Sequence, residues 1–233
     1  MLSDRVFRES TQISSEAMTI QGTVNKTGIL LFLVIAGAAY TWSQAAMMPL
    51  MLLGVVVGLI AAIVTSFKPT IAHISAPIYA VAEGLALGGI SSIFEARYPG
   101  IVTQAVGLTF GTFLCLLGAY KSGMIQVTEN FKMGVVAATG GIFVVYLVNF
   151  ILGLFGVHWF STQGSGVIGI GFSLVVVVIA SLNLVMDFDF IENAAEHGSP
   201  KYMEWYGAFA LIVTLVWLYV EILNLLRKLN DRR

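Results

Sequence analysis

The sequence predicts an all-α membrane protein, a seven-transmembrane-helix bundle with a central last helix. Three observations carry that prediction. The chain is 58% hydrophobic and only 11% charged, about half the charged share of a soluble domain. Apolar runs of the roughly 20 residues needed to cross a bilayer recur along its length, with short polar breaks between them. The last run, 206–226, carries Glu221 well inside it. A charged group there costs at least ~2.5 kcal/mol on insertion scales, so this helix needs the others around it.

Residues 1–26 are polar and mixed in charge, with Asp4, Arg5, Arg8, Glu9 and Glu16. They read as a cytoplasmic tail with a short amphipathic turn around 13–20. The first apolar run starts only near Thr27 and lacks a small-residue cleavage site, unlike a secretory signal. That run, 27–42, is short, and Tyr40 and Trp42 suit an interfacial anchor at its end. A tight break at 43–46 makes it a hairpin with 47–67. Lys68 and Pro69 close the second run, since proline favours a helix start over continuation. Runs 71–94, 101–120, 133–155 and 167–186 follow, and an acidic connection, 187–204, leads into 206–226. The expected organisation is one membrane domain, 27–226, with a basic tail at 227–233. No internal repeat of the kind that builds duplicated transporters is evident.

Basic residues orient the spans. With the N-terminus inside, Arg5, Arg8, Lys26, Lys68, Lys121, Lys132 and Lys201 are cytoplasmic and the opposite short loops hold only Arg97. Seven full crossings then put Arg227, Lys228, Arg232 and Arg233 outside, against the rule, unless a late segment is re-entrant. The side of the C-terminus stays open.

Among the 24 glycines, Gly54 with Gly58, Gly84 with Gly88, and Gly107 with Gly111 form small-xxx-small pairs, which let helix backbones approach closely. Gly88 and Gly89, followed by Ser91 and Ser92, read as packing with hydroxyl partners to hand. The single cysteine, Cys115, excludes an internal disulfide and reads as a small buried hydrophobe.

The ionisable residues carry the functional signal. Twelve basic against 13 acidic residues exclude a basic nucleic-acid-binding surface. The three histidines, His73, His158 and His197, are widely spaced and no HExxH is present, so no enzyme and no resident cofactor is expected. Asp187 should lie near a helix mouth, and with Asp189, Glu192, Glu196 and Glu204 it forms a dense acidic cluster. Large apolar neighbours enclose Asp187 and Asp189 in the stretch MDFDFI. Glu221 has no basic residue within a turn. Glu83 is a third intramembrane acid, beside Gly84. Lys68 precedes it by 15 residues, roughly 22 Å of helix, too far for a direct pair. Asn149 and Asn224 add groups able to bond between helices.

The stretches NLVMD at 183–187 and LYVEILNLL at 218–226 resemble the transmembrane Bax inhibitor motif family, and more closely its bacterial Bax-inhibitor-like branch. Support comes from the span count, from Glu83 and Gly84 through Ser91, Ser92, Ile93 and Phe94, and from Val148, Asn149 and Phe150; together the likeness covers about 27–226. It implies a seven-helix bundle in the bacterial inner membrane with a pore-side pair of carboxylates that senses protons and controls a calcium leak. Carried over by position, the pair falls on Asp187 and Glu221. Glutamate at 221 replaces the family's common aspartate, and MDFD stands where the family usually has Tyr-Asp-Thr-Gln. Lys68 is the candidate basic partner; Asp189 and Glu83 are candidate supporting acids.

Two close carboxylates in low dielectric cannot both ionise cheaply and therefore share a proton. Once deprotonated they form an oxygen-rich site suited to Ca²⁺, the candidate permeant or bound ion. The expected partners are the lipid bilayer, Ca²⁺, protons and candidate membrane proteins, with no nucleic acid. Two other readings stand beside a cation leak: a non-conducting regulator of membrane proteases or other membrane proteins, and a proton-coupled small-solute transporter.

Overall fold

The computed structural model describes residues 17–42, 48–155, 164 and 166–232. Asp4, Arg5, Arg8, Glu9, Glu16, the break at 43–46, His158, Arg233 and the first half of the turn expected at 13–20 lie outside the described residues. Seven α-helices are present among those described: α1 Ile20–Trp42, α2 Met48–Phe67, α3 Ala72–Arg97, α4 Ile101–Lys121, α5 Glu129–Leu154, α6 Val167–Glu196 and α7 Met203–Asp231. A 3-10 turn, Pro69–Ile71, leads into α3 at the expected proline. All seven helices are long and apolar enough to span a membrane. The last is the most buried, with 56% of its most apolar stretch enclosed against 44% for α3 and at most 28% for the others. A shielded last helix is what the charge within it demands.

Three helix ends differ from the apolar pattern, each for a local reason. The first helix starts at Ile20 because Thr19 caps it, its Oγ1 accepting the Gly22 N–H at 2.9 Å. Polar residues in that first turn hide the helix from a hydropathy reading. The acidic stretch expected to be a connection is mostly helix: α6 continues through Asp187, Asp189 and Glu192 to Glu196, since no glycine or proline interrupts it. It stops where Gly198 adopts φ 63°. There the Gly198 N–H bonds Ala195 O at 3.1 Å and the Ser199 N–H bonds Ala194 O at 3.0 Å, a Schellman ending followed by Pro200. Asp187 therefore sits within α6, not at its mouth. Lastly, α7 runs on to Asp231, so Arg227 and Lys228 are helical.

The chain folds as two compact units. One comprises the described residues up to Ser92 together with Asp189–Ile212. Here α3 presents Gly84 and Gly88 to α1: a Cβ on either would overlap the backbone of Val34 or Ala38. Thr41 Oγ1 crosses the same contact to donate to Leu85 O at 3.0 Å. On the other side of α3, Gly58 leaves room for Glu83, whose Oε2 lies 3.1 Å from where a Cβ would stand. Gly89 packs on Met51, and the Ser92 hydroxyl returns to Gly89 O at 2.9 Å. Glu204, expected in a connection, is 1% exposed in the first turn of α7. Its Oε1 accepts the Thr19 N–H at 3.0 Å and the Thr19 hydroxyl at 2.9 Å. Its Oε2 is ion-paired with Lys26, whose ammonium also lies 5.6 Å from the Trp205 ring centroid. Any side chain at Gly22 would overlap this carboxylate.

The second unit comprises Ile93–Phe188 and Val213–Arg233 among the described residues. Phe188 of α6 packs edge-on against Phe113 of α4, with ring centroids 5.6 Å apart. Asn183 Nδ2 donates to Thr139 Oγ1 at 2.8 Å, bonding α6 to α5. Among the described residues, Gly107 and Gly111 meet no atom within 4 Å of a Cβ position, so this third glycine pair makes no packing contact with them. Cys115 is exposed, correcting the buried reading: an apolar span offers lipid-facing positions that hydropathy does not distinguish from a core.

The glycines give a paired test by thermal unfolding in detergent. Gly88→Ala should destabilise by about 1–3 kcal/mol through overpacking. Gly107→Ala should be neutral or stabilising by up to ~1 kcal/mol, because alanine is the better helix former.

Candidate functional site

Helix α7 carries Thr214, Glu221 and Lys228 at seven-residue spacing, which returns to nearly the same face every two turns. Each is buried, at 8%, 4% and 3% exposure. They form a polar row along the helix, and each faces different partners.

Glu221 lies on the wall of a cavity of about 590 Å³. Its Oε1 accepts the Tyr146 hydroxyl of α5 at 2.8 Å, and Trp217 one turn back also donates to the carboxylate. The Tyr146 ring packs edge-on against Phe172 of α6 with centroids 5.9 Å apart, which holds the hydroxyl in place. Asn149, Ser173, Asn224, Arg227 and Lys228 give the same cavity further polar groups, and Phe94 and Phe150 line it with rings. Lys228 Nζ donates to Ser173 Oγ at 2.7 Å and to Gly169 O at 3.1 Å. Arg227 approaches Asp231 Oδ2 at 3.6 Å, and the Tyr98 hydroxyl bonds the other Asp231 oxygen.

Asp187 accepts a hydrogen bond from Thr214. Its Oδ2 is buried with no hydrogen-bond partner, the one such side-chain atom among the described residues. Thr214 and Glu221 are two turns apart, about 10 Å along the helix axis. Asp187 on α6 and Glu221 on α7 thus have separate hydrogen-bond partners, Thr214 for the one and Tyr146 with Trp217 for the other.

The remaining candidates belong to the other unit. Lys68 is exposed at the junction before the 3-10 turn. Glu83 is half-buried against Gly58. Asp189 is half-buried, its carbonyl accepting Asn193 Nδ2 at 2.7 Å. Among the described residues, no group of three or more His, Cys, Asp or Glu could hold a metal ion. The oxygens near Glu221 are one carboxylate with amides and hydroxyls, beside Arg227 and Lys228, a set too poor in anionic groups for a closed calcium cage. Sequence reasoning missed Tyr146, Ser173, Thr214 and Lys228. The 221, 224, 228 spacing was the available signal for Lys228; the partners on α5 and α6 had none.

A buried carboxylate and a buried ammonium in apolar helices of spanning length define a multi-pass membrane protein with a polar internal site. The chain belongs to the Bax inhibitor 1 like family, whose model matches residues 1–231. No curated protein matches it.

Tyr146→Phe removes one donor to Glu221 while keeping the ring. It should destabilise the detergent-solubilised protein by about 1–2 kcal/mol and shift the carboxyl infrared band that Glu221→Gln abolishes. An unmoved band would separate Tyr146 from the site.

Proposed function

We propose that the protein is a pH-sensitive cation leak channel of the bacterial inner membrane, with its N-terminus in the cytoplasm and Ca²⁺ as permeant ion. Asp187 of α6 and Glu221 of α7 form its coupled proton- and cation-sensing pair. The reading rests above all on Glu221, a buried carboxylate on the wall of a polar-lined cavity within spanning helices. Intramembrane acids of this kind commonly mark ion or proton pathways. The unpartnered Oδ2 of Asp187 supports it: a buried carboxylate oxygen is costly until a proton or a cation meets it. Family membership supports it through the likeness described for the two acidic stretches.

Protonation neutralises the acids and removes their attraction for a cation; deprotonation restores it. Flux should therefore rise with pH. A two-state helix equilibrium biased by these charges converts local titration into opening. The reaction is transport without bond chemistry, and its partners are protons, Ca²⁺ and the bilayer.

Ca²⁺ efflux from liposomes across pH tests this. Glu221→Gln and Asp187→Asn should each reduce flux by about tenfold or more, the effect of losing at least ~1.4 kcal/mol of ion stabilisation, and flatten its rise with pH. In the double variant the effects should be less than additive, because the acids share one field. Absence of flux from the unaltered chain, with the protein folded, would return the function to a non-conducting regulator.

A further inference from the structure

We propose that Tyr98 and Asp231 form the outer latch of the Glu221 cavity, a hydrogen bond whose release opens the cavity to water and ions. The latch deepens the leak reading and rests on it for its part in conduction; opening of the cavity can be observed without any flux.

The latch joins two elements one turn beyond the cavity wall. Phe94 of α3 and Arg227 of α7 both line the cavity. Tyr98 follows Phe94 by four residues and Asp231 follows Arg227 by four, about one helical turn further out in each case. The Tyr98 hydroxyl donates to Asp231 Oδ1, and the Arg227 guanidinium lies 3.6 Å from Oδ2 of the same carboxylate. The last turn of α7 is thereby fastened to the α3–α4 connection.

That connection is a firm post. The Tyr98 N–H bonds Phe94 O at 2.8 Å, and the Ile101 N–H bonds Tyr98 O at 3.1 Å. Gly100 takes φ 86°, a conformation that a side chain would strain. Glu95 reaches across the turn to accept the Gly100 N–H at 2.6 Å and the Val102 N–H at 3.0 Å. Its carboxylate so caps the start of α4, where the helix dipole favours an anion. The Arg97 guanidinium lies 5.5 Å from the Tyr98 ring centroid. The movable half of the latch is the end of α7, since terminal turns open most readily.

Exposure falls from the latch inward. The Arg227 and Asp231 side chains are 25% and 24% exposed, whereas Ser173 and Glu221 on the cavity wall are 2% and 4% exposed. Glu221 lies roughly 15 Å along the helix axis from Asp231, behind this half-wet rim. With the N-terminus in the cytoplasm, α3 and α7 both end on the outer side, so the latch controls entry from outside. A hydrogen bond to a charged acceptor suits the task, being strong enough to hold a helix end and weak enough to release it.

Labelling by a water-soluble maleimide tests the latch in the detergent-solubilised full chain. Cys115→Ala removes the native thiol, and Asn224→Cys places one on the cavity wall. Tyr98→Phe removes one oxygen and keeps the ring; it should speed labelling about tenfold, as expected for the loss of a hydrogen bond to a charged acceptor. A second reporter on α5, Asn149→Cys, should respond alike, since both residues line one cavity. Added to Asp231→Ala, Tyr98→Phe should have no further effect, because both changes remove one contact. Unchanged labelling at either reporter in folded Tyr98→Phe overturns the proposal; a response at Asn224 alone would mean a frayed helix end, not an opened cavity. A full effect of Tyr98→Phe in the Asp231→Ala background overturns it as well. Should Asp231→Ala not fold, Tyr98→Phe with the two reporters decides. Faster labelling without Ca²⁺ efflux from any form would remove the leak reading and leave the latch; efflux raised by Tyr98→Phe with labelling unchanged would do the reverse.

Discussion

Three charged side chains are buried among the described residues, Glu204, Glu221 and Lys228, and all three lie on the last helix. Each must be compensated inside the protein, since lipid offers nothing in exchange for lost water. Helix α7 is accordingly the most enclosed of the seven. In one unit the first helix brings Thr19 and Lys26 to Glu204. In the other, α5 brings Tyr146 to Glu221 and α6 brings Ser173 to Lys228. The other helices join one another through neutral contacts such as Asn183 with Thr139 and Thr41 with Leu85 O, while α7 carries the buried charges.

Much of the fold was legible in the sequence because hydropathy reports span length directly. All seven apolar runs became helices. The ends at Ile20 and Glu196 were not legible, because a Thr19 cap and a Gly198 turn set them rather than polarity. Gly54, Gly58, Gly84 and Gly88 met neighbours as their spacing suggests, whereas Gly107 and Gly111 meet none among the described residues. Spacing identifies a smooth helix face but not what lies against it. Cys115 shows the same limit, since lipid-facing and protein-facing positions share one composition.

The site was legible only in part, for a related reason. Glu221 announces itself by the cost of its burial, and Asp187 by its large apolar neighbours. Their partners do not, because Tyr146 lies 75 residues from Glu221 in the chain and a tyrosine in a span is unremarkable alone. Lys228 looked like part of a terminal basic tail until α7 proved long enough to turn it inward. Glu204 looked like a loop acid for the same reason: long-range pairing, not local pattern, decides whether a charge faces water.

The Glu204 contact has a consequence for biogenesis. Its two ion-pair partners are 178 residues apart in the chain, so nascent protein places Lys26 and the α1 cap in the membrane region long before Glu204 is synthesised. Through that interval the first helix lacks the carboxylate that later joins Thr19 and Lys26. The joint can close only when α7 arrives, which makes it a late event whatever order the intervening helices follow. A chain cut short before α7 would leave Lys26 and the Thr19 cap without the carboxylate that joins them, so the start of the first helix is fastened only in the complete bundle.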